Sequence, residues 1–210
     1  RIAPVLNASS YRGGAIPFLR LFSISFVPFP FHYNEDMKIE TKRLTITEFD
    51  MSMAESVHNE SLDEDNRRFV PDEVFETVEE AAEMVEFLMG CYTSGEGPLV
   101  YPVLLKDGTY IGYVQAVPFD DGTWEVGYHI GGSYTKQGYA TEAVTAFLPV
   151  IMKQIGITEI AGICLADNLA SAKVMERCGF TKLYEGKRNY QGQERMICKF
   201  VFKGGNHEED

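Results

Sequence analysis

A chain of 210 residues with 45% apolar and 24% charged side chains can bury one sizeable core, so disorder is not the default and one domain is the natural count. Its net charge of −12 comes without the clustered Lys and Arg of a nucleic-acid surface and suits a cationic partner better. Cys91, Cys164, Cys178 and Cys198 show no C-x-x-C spacing and read as reduced core thiols of a cytoplasmic protein, while His32, His58, His129 and His207 are too scattered to suggest a metal site.

Residues 1–36 stand apart. Arg1 to Asn34 carries three arginines and no acidic residue, a net +3 that leaves −15 for the rest. The stretch from Phe18 to Phe31 is apolar, but Arg20 splits it and Pro17, Pro28 and Pro30 break any helix, short of the roughly 20 residues a bilayer span needs. No small-residue cleavage site follows it. Met37 stands where the first strand opens, so the expectation is a native start at Met37, with 1–36 a non-native or poorly ordered leader; the alternative is a targeting leader.

From Lys38 to Glu48 apolar and polar residues alternate, with Ile39, Leu44 and Ile46 inward, which predicts a strand. Asp50 or Ser52 can cap a short helix through Val57. Ser61 to Phe75 has no period and holds Asp63, Asp65, Asn66, Pro71 and Asp72, so a loop is expected. Thr77-Val78-Glu79-Glu80 is a capping box, and Ala81, Met84, Val85, Leu88 and Tyr92 follow at helical spacing until Gly95. A meander of Leu99–Leu105, Tyr110–Val117 and Trp124–Ile130 turns at Asp107-Gly108 and at Asp120-Asp121-Gly122. A helix then begins within Gln137–Glu142 and runs through Leu148. Ile157–Leu165 reads as a buried strand and Asn168–Cys178 as a helix stopped by Gly179. A last hairpin joins Thr181–Arg188 to Arg195–Phe202 around Gln191-Gly192, and its edge could pair two copies. Residues 204–210 form an acidic tail.

Ser133 to Val144, SYTKQGYATEAV, reads as a strand-to-helix turn whose amides are free to hold an anion. Gly138 permits close backbone approach and Ala140 keeps the path open. Neither G-x-x-x-x-G-K-[ST] nor G-x-G-x-x-G is present. One strand later comes Asp167-Asn168-Leu169-Ala170-Ser171-Ala172-Lys173-Val174-Met175-Glu176-Arg177-Cys178-Gly179-Phe180.

Q-G-Y-A-T-E-A, a strand, then D-N-x-x-S-x-x-V-x-x-x-x-G-F closely resembles the GNAT superfamily of acetyl-CoA-dependent N-acetyltransferases, in particular the branch with the ribosomal-protein alanine acetyltransferases, over Met37 to Lys203. The resemblance implies an α+β fold with a central, mostly antiparallel seven-stranded sheet and helices on both faces. It also implies that amides at Lys136, Gln137, Gly138, Tyr139, Ala140 and Thr141 hold the coenzyme A pyrophosphate. The strand Glu125 to Ile130, with Tyr128, His129 and Ile130, would pair with the pantetheine arm, and Asn168 and Ser171 would touch the coenzyme. Two positions depart from the family: Thr135 replaces a usual Arg or Gln, and Met175 replaces the tyrosine proposed to protonate the leaving thiolate.

Acetyl transfer to an amine needs positioning, oxyanion stabilisation and removal of a proton. Glu125, on the strand leading to the turn, is the first candidate base, and His129, of the same facing parity, competes with it. Ser171 could donate to the thiolate sulfur; Tyr184 and Tyr139 are conceivable donors with packing roles as the plainer reading. Cys178, at a helix end without a His, argues for direct attack over a covalent intermediate. Asn168 caps its helix whether or not it also meets coenzyme. Asn66-Arg67-Arg68-Phe69-Val70-Pro71 resembles the acceptor-side loop of the alanine branch, so a protein amino terminus or a small-molecule amine is expected as acceptor. The alternatives are a non-catalytic acyl-CoA-binding module and a nucleotide-binding regulator.

Overall fold

The computed structural model describes residues 37–204 apart from 70–72, 95–96, 120 and 191–192. The leader, the tail from 205, and the turn or boundary residues expected at Val70, Pro71, Asp72, Gly95, Asp120 and Gln191-Gly192 lie outside the described residues. The elements in chain order are β1 (Ile39–Glu40), β2 (Leu44–Ile46), α1 (Ala54–Ser61), α2 (Glu64–Phe69), α3 (Val78–Ser94), β3 (Leu99–Leu105), β4 (Tyr110–Pro118), β5 (Trp124–Ile130), α4 (Tyr139–Ile155), β6 (Glu159–Leu165), α5 (Leu169–Arg177), β7 (Thr181–Tyr190) and β8 (Gln193–Lys203).

One sheet carries the molecule, in the order β1-β2-β3-β4-β5-β6-β8-β7. Every neighbouring pair is antiparallel except β5 and β6, which run parallel and share a single register pair, Glu125 with Ala161. Beyond that pair the two strands part, and the gap between them is the main feature of the sheet.

Three expectations are corrected. The sheet has eight strands instead of seven, because the first one is broken by a tight turn: Thr41 N donates to Leu44 O at 2.9 Å and Leu44 N to Thr41 Oγ1 at 2.9 Å. The expected loop contains α2, nucleated by the Asp63 carboxylate, which accepts from Asn66 N at 2.8 Å. Finally, α4 continues past Leu148 to Ile155 with Pro149 inside it. Pro149 sits on the exposed side, where water can serve the carbonyl it leaves without a donor.

The capping box of α3 forms with a shift. Glu80 N donates to Thr77 Oγ1 at 3.2 Å, while the Glu80 carboxylate reaches back to Glu76 N, one residue beyond the usual partner, at 2.7 Å. Ala81, Met84, Val85, Leu88 and Tyr92 are all buried, as their spacing predicts. On α4 the stripe Ala143, Val144, Phe147, Leu148, Ile151, Met152 and Ile155 is buried throughout. With Tyr101 and Phe200 it contributes many of the fully buried side chains of the core, each large one worth roughly 1.5–3 kcal/mol. Cys91, Cys164, Cys178 and Cys198 are buried free thiols. Among the described residues no helix is long and apolar enough to cross a membrane.

Strand alternation sorts the two faces of the sheet. On one face Tyr101 packs 5.7 Å from Phe147 of α4, and Gly162 leaves room for Met175 of α5. The other face carries Tyr113 and Gln115 of β4 beside His129 and Gly127 of β5, and then Glu125. Gly112 lies between, with φ of 140°, and a Cβ there would stand 2.1 Å from the backbone oxygen of His129. Gly112→Ala is therefore expected to cost about 3 kcal/mol or more, since neither the backbone torsion nor the collision can relax through a side chain. A shift in the denaturation midpoint measures it; a midpoint like that of the parent would contradict the strand geometry.

Candidate active site

A cavity of about 1440 Å³ opens where β5 and β6 part. One end is the turn between β5 and α4; the other is the sheet face formed by β5, β6, β8 and β7. Tyr128, on the α5-facing side of β5, spans the gap: its hydroxyl donates to Ser171 O at 2.9 Å and lies 2.9 Å from Ser171 Oγ. Asn168 caps α5 by accepting from Ser171 N at 3.0 Å, which leaves its side-chain NH2 free to donate elsewhere.

At the turn, residues 132–134 form one turn of 3-10 helix, and Thr135 N donates to Gly132 O at 3.3 Å. Thr135 is thus internally bonded. Lys136 and Gly138 both adopt left-handed conformations, φ 60° and 82°, and Gly138 is the N-cap of α4. The first amide of α4 with an acceptor is Glu142 N, on Gly138 O at 3.0 Å. No hydrogen bond to a described residue is made by the amides of Lys136, Gln137, Gly138, Tyr139, Ala140 and Thr141, so six donors remain at the positive end of a 17-residue helix. That donor set fits a diphosphate.

A clamp that sequence reading did not find holds this turn. Arg43, in the break between β1 and β2, places Nε 2.6 Å and Nη2 2.6 Å from Glu142 Oε2, donates Nη1 to Gln137 O at 2.9 Å, and stacks 4.3 Å from the centroid of Tyr139. Thr41 Oγ1 and Arg43 N donate to the other oxygen of Glu142, at 2.7 and 3.0 Å. Partial burial pushes the Glu142 carboxyl up, but the hydrogen bonds from Thr41 and Arg43 outweigh it and hold the group below the ordinary carboxylate range. The partners lie about a hundred residues apart in the chain, so no local pattern could have joined them.

The end of α1 and the start of α2 are tied to the same turn. The Asp63 carboxylate accepts from Gly132 N at 2.9 Å, and Glu60 packs so closely on Gly131 that a Cβ there would overlap its carboxylate. Burial and the neighbouring Asp63 raise the Glu60 pKa.

Glu125 is half-buried, facing the cavity at the vertex where β5 leaves β6. Burial pushes its carboxyl up to about 8, against the Ile163 backbone hydrogen bond and the Lys199 ammonium, which pull it down. His129 lies on the same face, its ring 5.9 Å from that of Tyr113, which hydrogen-bonds Glu73. Ile130 closes β5, buried opposite Gly112. Tyr139 is occupied by Arg43, and Tyr184 donates its hydroxyl to Lys187 O at 3.1 Å. Cys178 Sγ is engaged with Thr145 Oγ1 at 3.5 Å and Thr141 O at 3.7 Å, and burial raises its thiol pKa, the reverse of an activated nucleophile.

Met175 is only 1% exposed, with its sulfur packed over Gly162. The volume a tyrosine would need there is already filled. Met175→Tyr is expected to cost about 1–3 kcal/mol by overpacking and to leave turnover no faster. A thermal melt and a rate measurement check both; a faster, equally stable variant would contradict the packing.

Comparison with known proteins gives one consistent picture. The family model of the acetyltransferase (GNAT) domain matches residues 43–181. A protein of Bacillus subtilis (strain 168), the uncharacterized N-acetyltransferase YnaD, is 30% identical over 148 residues, or 70% of this chain and 84% of that one. Among solved structures, a GNAT-family acetyltransferase from Bacillus anthracis superposes with a TM-score of 0.67 at 26% identity, covering 80% of this chain and 98% of its own. A ribosomal-protein-S5-alanine acetyltransferase from Vibrio fischeri, 18% identical, shares the fold with a TM-score of 0.68 over 83% of this chain and 100% of its own.

Proposed function

The chain belongs to the acetyltransferase (GNAT) family, and from that premise we propose that it transfers an acetyl group from acetyl-CoA to a primary amine by direct attack, with Glu125 as general base. The observation that carries the reading is the half-buried Glu125 carboxyl, raised to about 8, at the vertex of the β5–β6 gap. A base with its pKa near the working pH is well matched to removing a proton from an ammonium.

The unbonded amides of residues 136–141 would hold the diphosphate, with Gly138 permitting close approach. The coenzyme supplies a thioester carbonyl carbon as the electrophile. Backbone groups of Tyr128 and Ile130 are the ones that alternate toward the gap, where they can position an extended arm, while the His129 carbonyl is turned toward Gly112 of β4, and Asn168 retains NH2 donors beside the gap. Glu125 takes the proton from the amine. Ser171 Oγ, 2.9 Å from the Tyr128 hydroxyl, can donate a hydrogen bond that stabilises the departing thiolate, which then takes its proton from solvent, a role Met175 cannot fill. A phenol kept protonated by burial suits that support: the Tyr128 pKa is raised.

The test is thiol release from acetyl-CoA across peptides and small amines. Release above background with at least one amine is expected. Background rates with every amine, together with tight acetyl-CoA binding, would instead identify a non-catalytic binding module.

A further inference from the structure

The hairpin β7–β8 places two arginines directly opposite each other, Arg188 on β7 and Arg195 on β8. Like charges in register repel, and a folded protein usually relieves such a pair with a carboxylate. Here none is supplied: among the described residues neither arginine has an ion pair, whereas Lys182, Lys187 and Lys203 of the same two strands sit on Glu185, Glu194 and Glu159. Arg195 Nε is buried without a partner, although its guanidinium also donates to the Gln193 side chain at 3.0 Å. Arg188 lines the cavity and is set in place by the Tyr184 ring, 4.3 Å away.

The pair also has the right facing. By register, Tyr184 with Lys199, Gly186 with Ile197, and Arg188 with Arg195 all lie on one face, and Tyr184, Arg188, Ile197 and Lys199 line the cavity that Glu125 faces. Tyr190, at the end of β7, lies within electrostatic reach of Glu125, Glu73 and Arg195. This end of the cavity therefore brings carboxylates and a guanidinium group within reach of one side chain. In a chain of net charge −12, this concentration of unpaired cations is not a general surface property.

We propose that the acceptor is a small amine carrying its own carboxylate, the class to which free amino acids belong, with Arg188 and Arg195 receiving the carboxylate while Glu125 faces the amine. The inference rests on the acetyl-transfer reading above and adds the substrate class. Planar guanidinium groups match a carboxylate bidentately, and an incoming anion removes the repulsion that the free protein bears. A peptide amino terminus offers no α-carboxylate on its first residue and leaves the pair uncompensated.

The experiment measures thiol release with matched pairs of amino acids and their carboxamides, using the parent, Arg188→Gln, Arg195→Gln and Lys187→Gln. The parent is expected to favour acids over amides by at least about 10-fold in kcat/KM, the size of a hydrogen bond to a charged group. Arg188→Gln and Arg195→Gln should erase that preference by raising KM for the acid, with kcat within about 2-fold, the pattern of lost ground-state binding. Both variants should melt at or above the parent temperature, because removing one charge relieves the pair. Lys187→Gln, on the opposite face, should change nothing. Equal use of acid and amide by the parent, or equal loss on both by Arg188→Gln, overturns the proposal. If peptide amines alone are acetylated, the substrate class is wrong while acetyl transfer stands; if no amine of any class releases thiol, both fall.

Discussion

Glu125→Gln is expected to lower kcat by about 100-fold or more while coenzyme affinity stays unchanged, because the amide keeps the shape of the side chain and loses only its ability to accept a proton. The pH dependence should change with it. In the parent the basic form of Glu125 accumulates as pH rises through about 8, so kcat/KM should climb to that point and level off. The variant should lack that inflection. A kcat within 3-fold of the parent, or an unaltered profile, would transfer the base role to His129 on the same face.

The same carboxyl makes a signed prediction about stability. Its pKa lies above the ordinary value of 4.5, so between 4.5 and about 8 the folded protein keeps a proton that the unfolded chain has released. Stability must fall as pH rises through that window, by at most about 1.4 kcal/mol per pH unit from this group. Glu125→Gln removes that slope, and its stability gain over the parent should widen from pH 5 to pH 8. Urea titrations at three pH values suffice to test this.

Glu142→Ala is expected to give the largest loss of coenzyme binding. The side chains of Arg43 and Glu142 are 39% and 20% exposed, so the pair lies between a surface ion pair, worth up to about 1 kcal/mol, and a fully buried one. Truncation also strips Thr41 Oγ1 and the Arg43 amide of their acceptor. A stability loss of about 1–3 kcal/mol follows, with coenzyme A binding weakened about 10-fold as the turn at Gln137 loses its support. Calorimetry on the variant, with Arg43→Met and the double variant closing a cycle, separates the two effects. Parent-like affinity in Glu142→Ala would mean that Arg43 does not position the turn.

What could be read in the chain were its local signals. The stripes of α3 and α4, the Asp-Gly turns and the cap at Asn168 are set by neighbours a few residues away, and the strands β3 and β5 match their expected limits. The missed features depend on distant partners or on which side faces solvent. Arg43 finds Glu142 only after the sheet assembles, and Pro149 is tolerated only because its side of α4 is exposed. The helix α2 was hidden because its polar composition resembles a loop; the cap at Asp63, three residues before Asn66, was the readable clue. At the site, parity put Glu125 and His129 on one face, but the unpaired arginines of the last hairpin became visible only when register set them opposite each other.

The single register pair between Glu125 and Ala161 gives this sheet a seam. On one side lie five strands stitched in sequence, on the other three, and along the seam the ladder is barely laced. An extended ligand lying in it would do more than occupy space, since it would supply the rungs that the polypeptide omits. Amide protons of residues 127–130 that point toward β6 should therefore exchange fast in the free protein and slow sharply once the seam is filled, making a small molecule the missing strand of the fold.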